Sequence, residues 1–125
     1  MTTDDPYDLQ RFVAAQDTGG TYQQALAEMK AGRKTSHWMW FVFPQIAGLG
    51  YSPMARRYAI RNGDEAAAYL AHPVLGPRLR ECASAVAMHD DRDIGEIFGD
   101  PDDMKFHSCM TLFAAVAPEE PLFGQ

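Results

Sequence analysis

The stretch KTSHWMWFVFPQIAGLG, residues 34–50, decides the fold because it holds six consecutive bulky apolar side chains at residues 38–43. A run this short and aromatic can form either a buried strand or a buried helix. A lone strand would leave backbone hydrogen-bonding groups without partners, and the sequence offers no second strand. We therefore expect a short buried helix that is capped by Ser36 and ends near Pro44.

Helix start signals recur along the rest of the chain. They combine a capping residue with a proline directly after it, or with a glutamate or glutamine three positions later. Such starts are Asp5-Pro6, Thr21 with Gln24, Ser52-Pro53, Asn62 with Glu65, and Asp100-Pro101. The alternation of apolar and polar residues that is typical of half-buried strands is absent. The sequence predicts a mainly α fold, a compact bundle of about six or seven helices around the aromatic segment.

The last predicted helix, residues 104–116, is apolar on nearly every side, which is typical of a central helix. Its polar residues are spaced three apart and form one stripe: Lys105, Ser108 and Thr111. A polar group in a buried helix needs a partner, so the stripe is either a structural network or the polar side of a pocket. For Lys105, the expected partner is Asp102 or Glu81.

Length and charge limit the classes of function. A chain of 125 residues suits one domain, so we predict a single helical domain over residues 1–125. The net charge of −6 argues against a nucleic acid or an anionic membrane as the main partner, since both require clustered positive charge. No apolar run is long enough to span a membrane, and no signal peptide is evident. We expect a soluble, cytoplasmic protein.

Cysteine and histidine spacing gives no sign of a metal site. The two cysteines, Cys82 and Cys109, form no CxxC pair and lie among apolar residues. No two of the four histidines are four residues apart, which excludes the common helical zinc motif. We therefore expect neither a metal nor a cofactor.

Arg56, Arg57 and Tyr58 follow one another on the helix that Ser52-Pro53 begins. An arginine can bind phosphate or carboxylate through paired hydrogen bonds, so this segment is a candidate anion site. The alternative is that the arginines pair with the many carboxylates of the chain or simply face water.

Five segments carry a resemblance to a known family: DPYDLQRFVAAQ, GRKTSHWMWFVFPQIAGLG, ARRYAI, YLAHPVLGPRLREC and DDMKFHSCMTLFAAVAP. Together they resemble a bacterial family of small proteins, domain-of-unknown-function family 1810, from about Asp5 to the last residue. The resemblance implies a compact, mainly helical domain and no established activity. It also favours Arg57 over its neighbour, because ARRYAI is one of the matching segments.

The resemblance further implies a C-terminal difference. Family members usually continue past a stretch like EEPLFGQ into another helix, whereas this sequence ends at Gln125. Either this member lacks that helix or the sequence is a shortened one; absence of the helix is expected to expose apolar surface, which a homodimer contact could cover.

The first functional hypothesis is a small-ligand-binding protein or enzyme whose aromatic and arginine-lined pocket takes a nucleotide-like anionic compound. The expected ligand-binding residues are Trp38, Trp40, Gln45, Arg57 and Tyr58. The catalytic candidates are His37 and Lys105 for proton transfer, and Ser108 as a nucleophile beside Lys105. The alternative for the aromatic run is core packing without a ligand.

The second hypothesis is a non-catalytic helical module that binds a protein partner or a second copy of itself. Geometry distinguishes the two hypotheses. Under the first, the polar atoms of His37, Arg57 and Lys105 converge on one cleft, whereas under the second they point to separate surfaces.

Overall fold

The computed structural model describes residue 5 and residues 7–48, 52–89, 93–99 and 102–124. In these residues eight α-helices follow one another: α1 (Gln10–Asp17), α2 (Thr21–Ala31), α3 (Met39–Val42), α4 (Pro53–Arg57), α5 (Gly63–Ala71), α6 (Leu75–Ala87), α7 (Ile94–Phe98) and α8 (Asp102–Val116). Two 3₁₀ helices, Thr18–Gly20 and Pro121–Gly124, complete the elements of this part of the chain. The predicted mainly α fold is confirmed.

Helices α6 and α8 lie at the centre of the arrangement. Helices α2 and α5 pack on α6, while α5, α7 and the C-terminal 3₁₀ helix pack on α8. The apolar character of α8 on most sides agrees with this position. No helix within the described ranges has both the length and the apolar character that a bilayer crossing requires.

The aromatic stretch forms a single helical turn, α3, as predicted. Its cap differs from the prediction, because Trp38 rather than Ser36 precedes the first helical residue. The Ser36 hydroxyl instead donates a hydrogen bond of 2.6 Å to the carboxylate of Glu28. A buried carboxylate that needs donors therefore takes the group that would have capped the helix.

The carboxylate of Glu28 organises the chain between α2 and α3. Glu28 is only 6 % exposed, yet it accepts hydrogen bonds from the backbone N–H groups of Thr35 and Ser36 at 2.8 and 3.1 Å. The Trp38 indole N–H and the Gln24 amide donate to it at 2.8 and 2.7 Å. Burial alone would raise the pKa of Glu28, but these hydrogen bonds and that from Ser36 outweigh it and lower the pKa to about 2.

Lys34 joins the same segment to the C-terminal half of the chain. Its backbone N–H donates to the carbonyl of Ile97 in α7 at 2.7 Å. Its ammonium group lies 2.8 Å from a carboxylate oxygen of Asp102, the first residue of α8, and its side chain is 6 % exposed. The residues that precede α3 are thus held from both sides before the aromatic run begins.

Aromatic rings fill the core around this segment. Phe43 makes an edge-to-face contact with Phe106 of α8, with ring centroids 4.9 Å apart, and Phe98 stacks on Phe106 at 4.7 Å. Phe12 of α1 meets Tyr69 of α5 edge to face at 5.1 Å. Such geometries are the favoured ones for aromatic pairs, so the run at 38–43 serves first as core packing.

The predicted helix starts have mixed outcomes. The Ser52 and Asn62 caps are confirmed, because their side chains accept from the N–H groups of Ala55 and Glu65. Helix α1 begins at Gln10 rather than beside Pro6, since Asp8 has a φ of 53°, which a right-handed helix cannot contain. Thr21 is the first residue of α2 and not its cap. Pro6 and the Asp100-Pro101 start lie outside the described residues.

We predict that Glu28→Gln lowers the free energy of unfolding by about 2–4 kcal/mol. The NH₂ group of the amide would face N–H and O–H groups that now donate to the carboxylate, and it cannot accept hydrogen bonds from them. The folded-state pKa of about 2 lies below the ordinary value of 4.5, so the stabilisation is complete above the ordinary pKa and is lost as pH falls towards 2. Between pH 5 and pH 2, the free energy of unfolding measured in urea should therefore fall by about 3 kcal/mol more for the wild type than for Glu28→Gln.

The matched control is Glu119→Gln, which changes an exposed glutamate by the same atoms. It should alter the unfolding free energy by less than about 0.5 kcal/mol at either pH. Equal acid sensitivity of the wild type and Glu28→Gln would contradict the assignment of Glu28 as the organising carboxylate.

Gly76 provides a second test, of how closely α5 and α6 approach each other. A Cβ at Gly76 would lie 2.1 Å from the carbonyl oxygen of Leu70, whereas one at Gly63 would meet nothing nearer than 3.8 Å. We expect Gly76→Ala to destabilise the fold by about 2 kcal/mol or more, because backbone must shift. Gly63→Ala should be neutral or slightly stabilising. Equal melting temperatures for the two variants would contradict the close helix contact.

Candidate functional site

A cavity of about 230 Å³ opens between α3, α4 and the start of α8. The residues that line it are Met39, Trp40, Phe43, Gln45, Ile46, Ala47, Gly48, Ala55, Arg56, Tyr58, Ala59 and Lys105. Its floor is apolar, and its polar groups come from a few separate segments, which is the usual composition of a small-molecule site.

A short parallel pairing builds one wall of the cavity. The N–H of Ala47 donates to the carbonyl of Ile60 at 2.7 Å, and the N–H of Ile60 donates to the carbonyl of Gln45 at 2.8 Å. These bonds hold the chain after Pro44 alongside the chain after α4. Gln45 lines the cavity, and its side-chain amide carries both a donor and an acceptor that a ligand could use.

The indole of Trp40 carries an unusual polar group for its position. Trp40 is half-buried and lines the cavity, while its Nε1 is buried and has no hydrogen-bond partner among the described residues. A buried donor without a partner costs about 1–3 kcal/mol. Because this atom is buried, the N–H is an unpaired donor behind the cavity wall, and Trp40 contributes its other ring atoms to that wall.

Lys105 brings positive charge to the same cavity. Its ammonium group lies 5.6 Å from the centroid of the Trp40 ring and 3.7 Å from a carboxylate oxygen of Asp102. Asp102 also holds the ammonium group of Lys34 at 2.8 Å, so one carboxylate serves two cations. The Lys105 ammonium group is therefore only loosely paired with Asp102, and it can also attract an anion in the cavity.

Arg56 extends the site beyond the cavity. It lines both the cavity and an adjoining groove of about 460 Å³. The residues that line this arginine groove are Tyr7, Asp8, Arg11, Ala47, Arg56, Arg57, Ala59 and Arg61. The two depressions share Ala47, Arg56 and Ala59, so they are neighbours on the protein.

Glu65 fixes the far side of the arginine groove. This carboxylate is fully buried and accepts from Arg11 Nη2 at 2.9 Å and from Arg61 Nε at 3.0 Å. Arg11 also donates to the carbonyls of Arg57 and Ala59 at 2.8 and 2.9 Å. The groove is therefore built by a buried ion cluster that positions the backbone carrying its arginines.

The predicted site residues separate into those the structure brings together and those it does not. Four of them line the cavity: Trp40, Gln45, Tyr58 and Lys105. Arg57 lines the arginine groove instead. Trp38 is 1 % exposed, bonded to Glu28, and outside the cavity wall. His37 is exposed and Ser108 half-buried, and neither lines the cavity or the groove.

The geometric criterion of convergence is met only in part. Lys105 lies in the cavity, Arg57 in the adjoining groove and His37 in neither. No hydrogen bond joins Ser108 to Lys105 in the described part of the chain, and Lys105 pairs with Asp102 as expected. Proton transfer by His37 or attack by Ser108 therefore gains no geometric support.

Two comparisons with known proteins match nearly the whole chain. The sequence model of the family described as "Protein of unknown function (DUF1810)" matches residues 6–125. The chain belongs to the DUF1810 family. It is also similar to a solved structure, "Crystal structure of the conserved hypothetical protein Rv1873 from Mycobacterium tuberculosis", with 54 % identity and a TM-score of 0.91. The match covers 95 % of this chain and 84 % of that one. A comparison with curated proteins finds no match.

Sequence reasoning named Arg56 but favoured Arg57, whereas Arg56 is the arginine that lines the cavity of this DUF1810 protein. Arg56 and Arg57 are adjacent on α4, where neighbouring residues point about 100° apart, so only one can face the cavity. The burial of Tyr58 decides which one, because it sets the rotation of the short helix. Ala47 and Ala59 were missed, since small side chains give no signal of their own.

The cysteines of this DUF1810 protein lie in the core. Burial raises the pKa of Cys82 to about 12 and that of Cys109 well above its ordinary value. Neither thiol lines the cavity. No group of three or more metal-ligating side chains occurs within the described ranges.

We predict that both thiols resist modification in the folded protein. A buried thiol of high pKa holds almost no thiolate at pH 8, and thiolate is the reactive form. Reaction with 5,5′-dithiobis(2-nitrobenzoate), followed by absorbance, should be at least about 100-fold slower than in 6 M guanidinium. Rapid reaction of one equivalent under native conditions would refute the burial of these cysteines.

Proposed function

We propose that this DUF1810 protein binds a small anionic molecule with a planar ring, a nucleotide-like compound, in the cavity beside Trp40. The observation that carries the proposal is the cavity that the side chains of Trp40, Lys105 and Arg56 line together. Lys105 and Arg56 donate hydrogen bonds and accept none. Such a pair favours a ligand rich in acceptor atoms.

The aromatic groups favour a planar ligand. Trp40 and Tyr58 line the cavity with Phe43, and contact between a base and an aromatic side chain contributes about 1–3 kcal/mol. Gln45 adds an amide that can both donate to and accept from the edge of a base. A volume of about 230 Å³ admits a ring and part of its substituent.

The positive groups favour an anion. Lys105 and Arg56 enter the cavity from different helices, so a phosphate or carboxylate between them would contact both. Hydrogen bonds to charged groups contribute about 1.5–3 kcal/mol each when shielded from water. The proposal concerns binding, and of the catalytic candidates only Lys105 lies where it could also transfer a proton.

A thermal-shift panel of nucleosides, nucleoside monophosphates and NAD-derived compounds tests the proposal. A compound at 100-fold excess over its Kd should stabilise the native state by about 2.7 kcal/mol, which raises the melting temperature by several degrees. Isothermal titration calorimetry of Lys105→Met should then show affinity for the best compound lowered about tenfold or more.

The matched control is Lys30→Met, which removes an exposed lysine in the last turn of α2, away from the cavity. Its affinity should equal that of the wild type. Absence of stabilisation by every compound in the panel, or equal effects of the two lysine substitutions, would refute the proposal.

The non-catalytic interaction module is the second candidate. What favours it is an apolar cleft of about 200 Å³ on another face, lined mainly by side chains from α6, α7 and α8. A protein that acts only through such a surface gains no stability from small anions. The same panel therefore distinguishes the two functions.

A further inference from the structure

We infer that the ligand carries two or three linked phosphates, so that the natural class is a nucleoside di- or triphosphate. The ring would occupy the cavity, and the outer phosphates would lie in the arginine groove. This inference rests on the proposed function and specifies the ligand of the same site.

Adjacency of the cavity and the groove is the first argument. Arg56, Ala47 and Ala59 line both the cavity and the groove, so the two depressions adjoin at these residues. A phosphate between Lys105 and Arg56 would lie at the junction. A phosphate attached to it would extend past Arg56 towards the groove.

Charge is the second argument. Among the residues that the structure describes, the groove contains four arginines and two associated carboxylates, Asp8 and Glu65, which leaves a formal balance of +2. The whole chain carries −6. A local positive balance on an acidic protein attracts multiply charged anions to one place and repels them elsewhere.

The arginines of the groove differ in how many of their donors are already used. The guanidinium of Arg11 donates to Glu65 and to the carbonyls of Tyr7, Asp8, Arg57 and Ala59, so it has little capacity left for a ligand. Arg56 and Arg57 are exposed and form no ion pair with any described residue.

Arg61 lies between these extremes. Its backbone N–H and its Nε donate to Glu65, whereas its terminal nitrogens form no hydrogen bond to a described residue and its side chain is 56 % exposed. Arg56, Arg57 and Arg61 can therefore contact phosphates, while Arg11 holds the scaffold. A monophosphate in the cavity would leave Arg57 and Arg61 without a role in binding.

Isothermal titration calorimetry with adenosine and guanosine mono-, di- and triphosphates tests this inference. Affinity should rise at least about tenfold from the mono- to the triphosphate of the preferred base. Arg57→Met should lower triphosphate affinity about five- to tenfold and monophosphate affinity less than twofold. We expect this variant to fold, because Arg57 is exposed and its guanidinium lies 5.6 Å from the centroid of the Tyr58 ring, a long contact.

The matched control is Arg33→Met, which removes an exposed arginine outside both depressions and should leave every affinity unchanged. Equal affinity for the mono- and triphosphates, with Lys105→Met still weakening both, would overturn the inference and leave the proposed function standing. Binding of inorganic tripolyphosphate alone, sensitive to Arg57→Met but not to Lys105→Met, would overturn the proposed function together with the inference.

Discussion

The buried carboxylate of Glu28 is the interaction on which the rest of the structure depends. Removing a charge from water costs several kcal/mol, and only a full set of donors offsets that cost. Glu28 obtains its donors from Gln24, Thr35, Ser36 and Trp38, so the ten residues that follow Glu28 must fold back around its carboxylate. The segment before α3 consequently has one low-energy path, and Trp38 enters the core at a defined angle.

The position of Trp38 then places the aromatic residues that follow. With the indole of Trp38 anchored, the single turn of α3 turns Phe43 towards α8 and leaves Trp40 half-buried at the cavity. Core packing and cavity wall are thus made by adjacent residues of one stretch. Whether an aromatic residue packs in the core or lines the cavity depends on its position along the turn. Trp38 and Phe43 stabilise the core, and Trp40 lines the cavity.

A second buried carboxylate, Glu65, plays the corresponding part for the other half of the site. It holds Arg11 and Arg61 together and lies just inside the start of α5, where the Asn62 cap fixes its backbone. Glu65 was read from the sequence only as the partner of the Asn62 cap, and Glu28 gave no signal there. The apolar periodicity of the sequence does not predict their burial, because the donors that stabilise a buried carboxylate come together only in the folded structure. Asn62, by contrast, was predictable, since a cap and its partner are three residues apart.

The sequence by itself determined the helical class, the caps at Ser52 and Asn62, the short helix in the aromatic stretch and the membership of the family. These features depend on residues within a few positions of one another, so the spacing of those residues in the sequence is enough to predict them. Only the tertiary structure decided that Trp40, Gln45, Arg56 and Lys105 share a cavity while His37 and Trp38 do not. That outcome depends on the rotation of two short helices and on two buried carboxylates, and contacts between residues distant in the chain determine both.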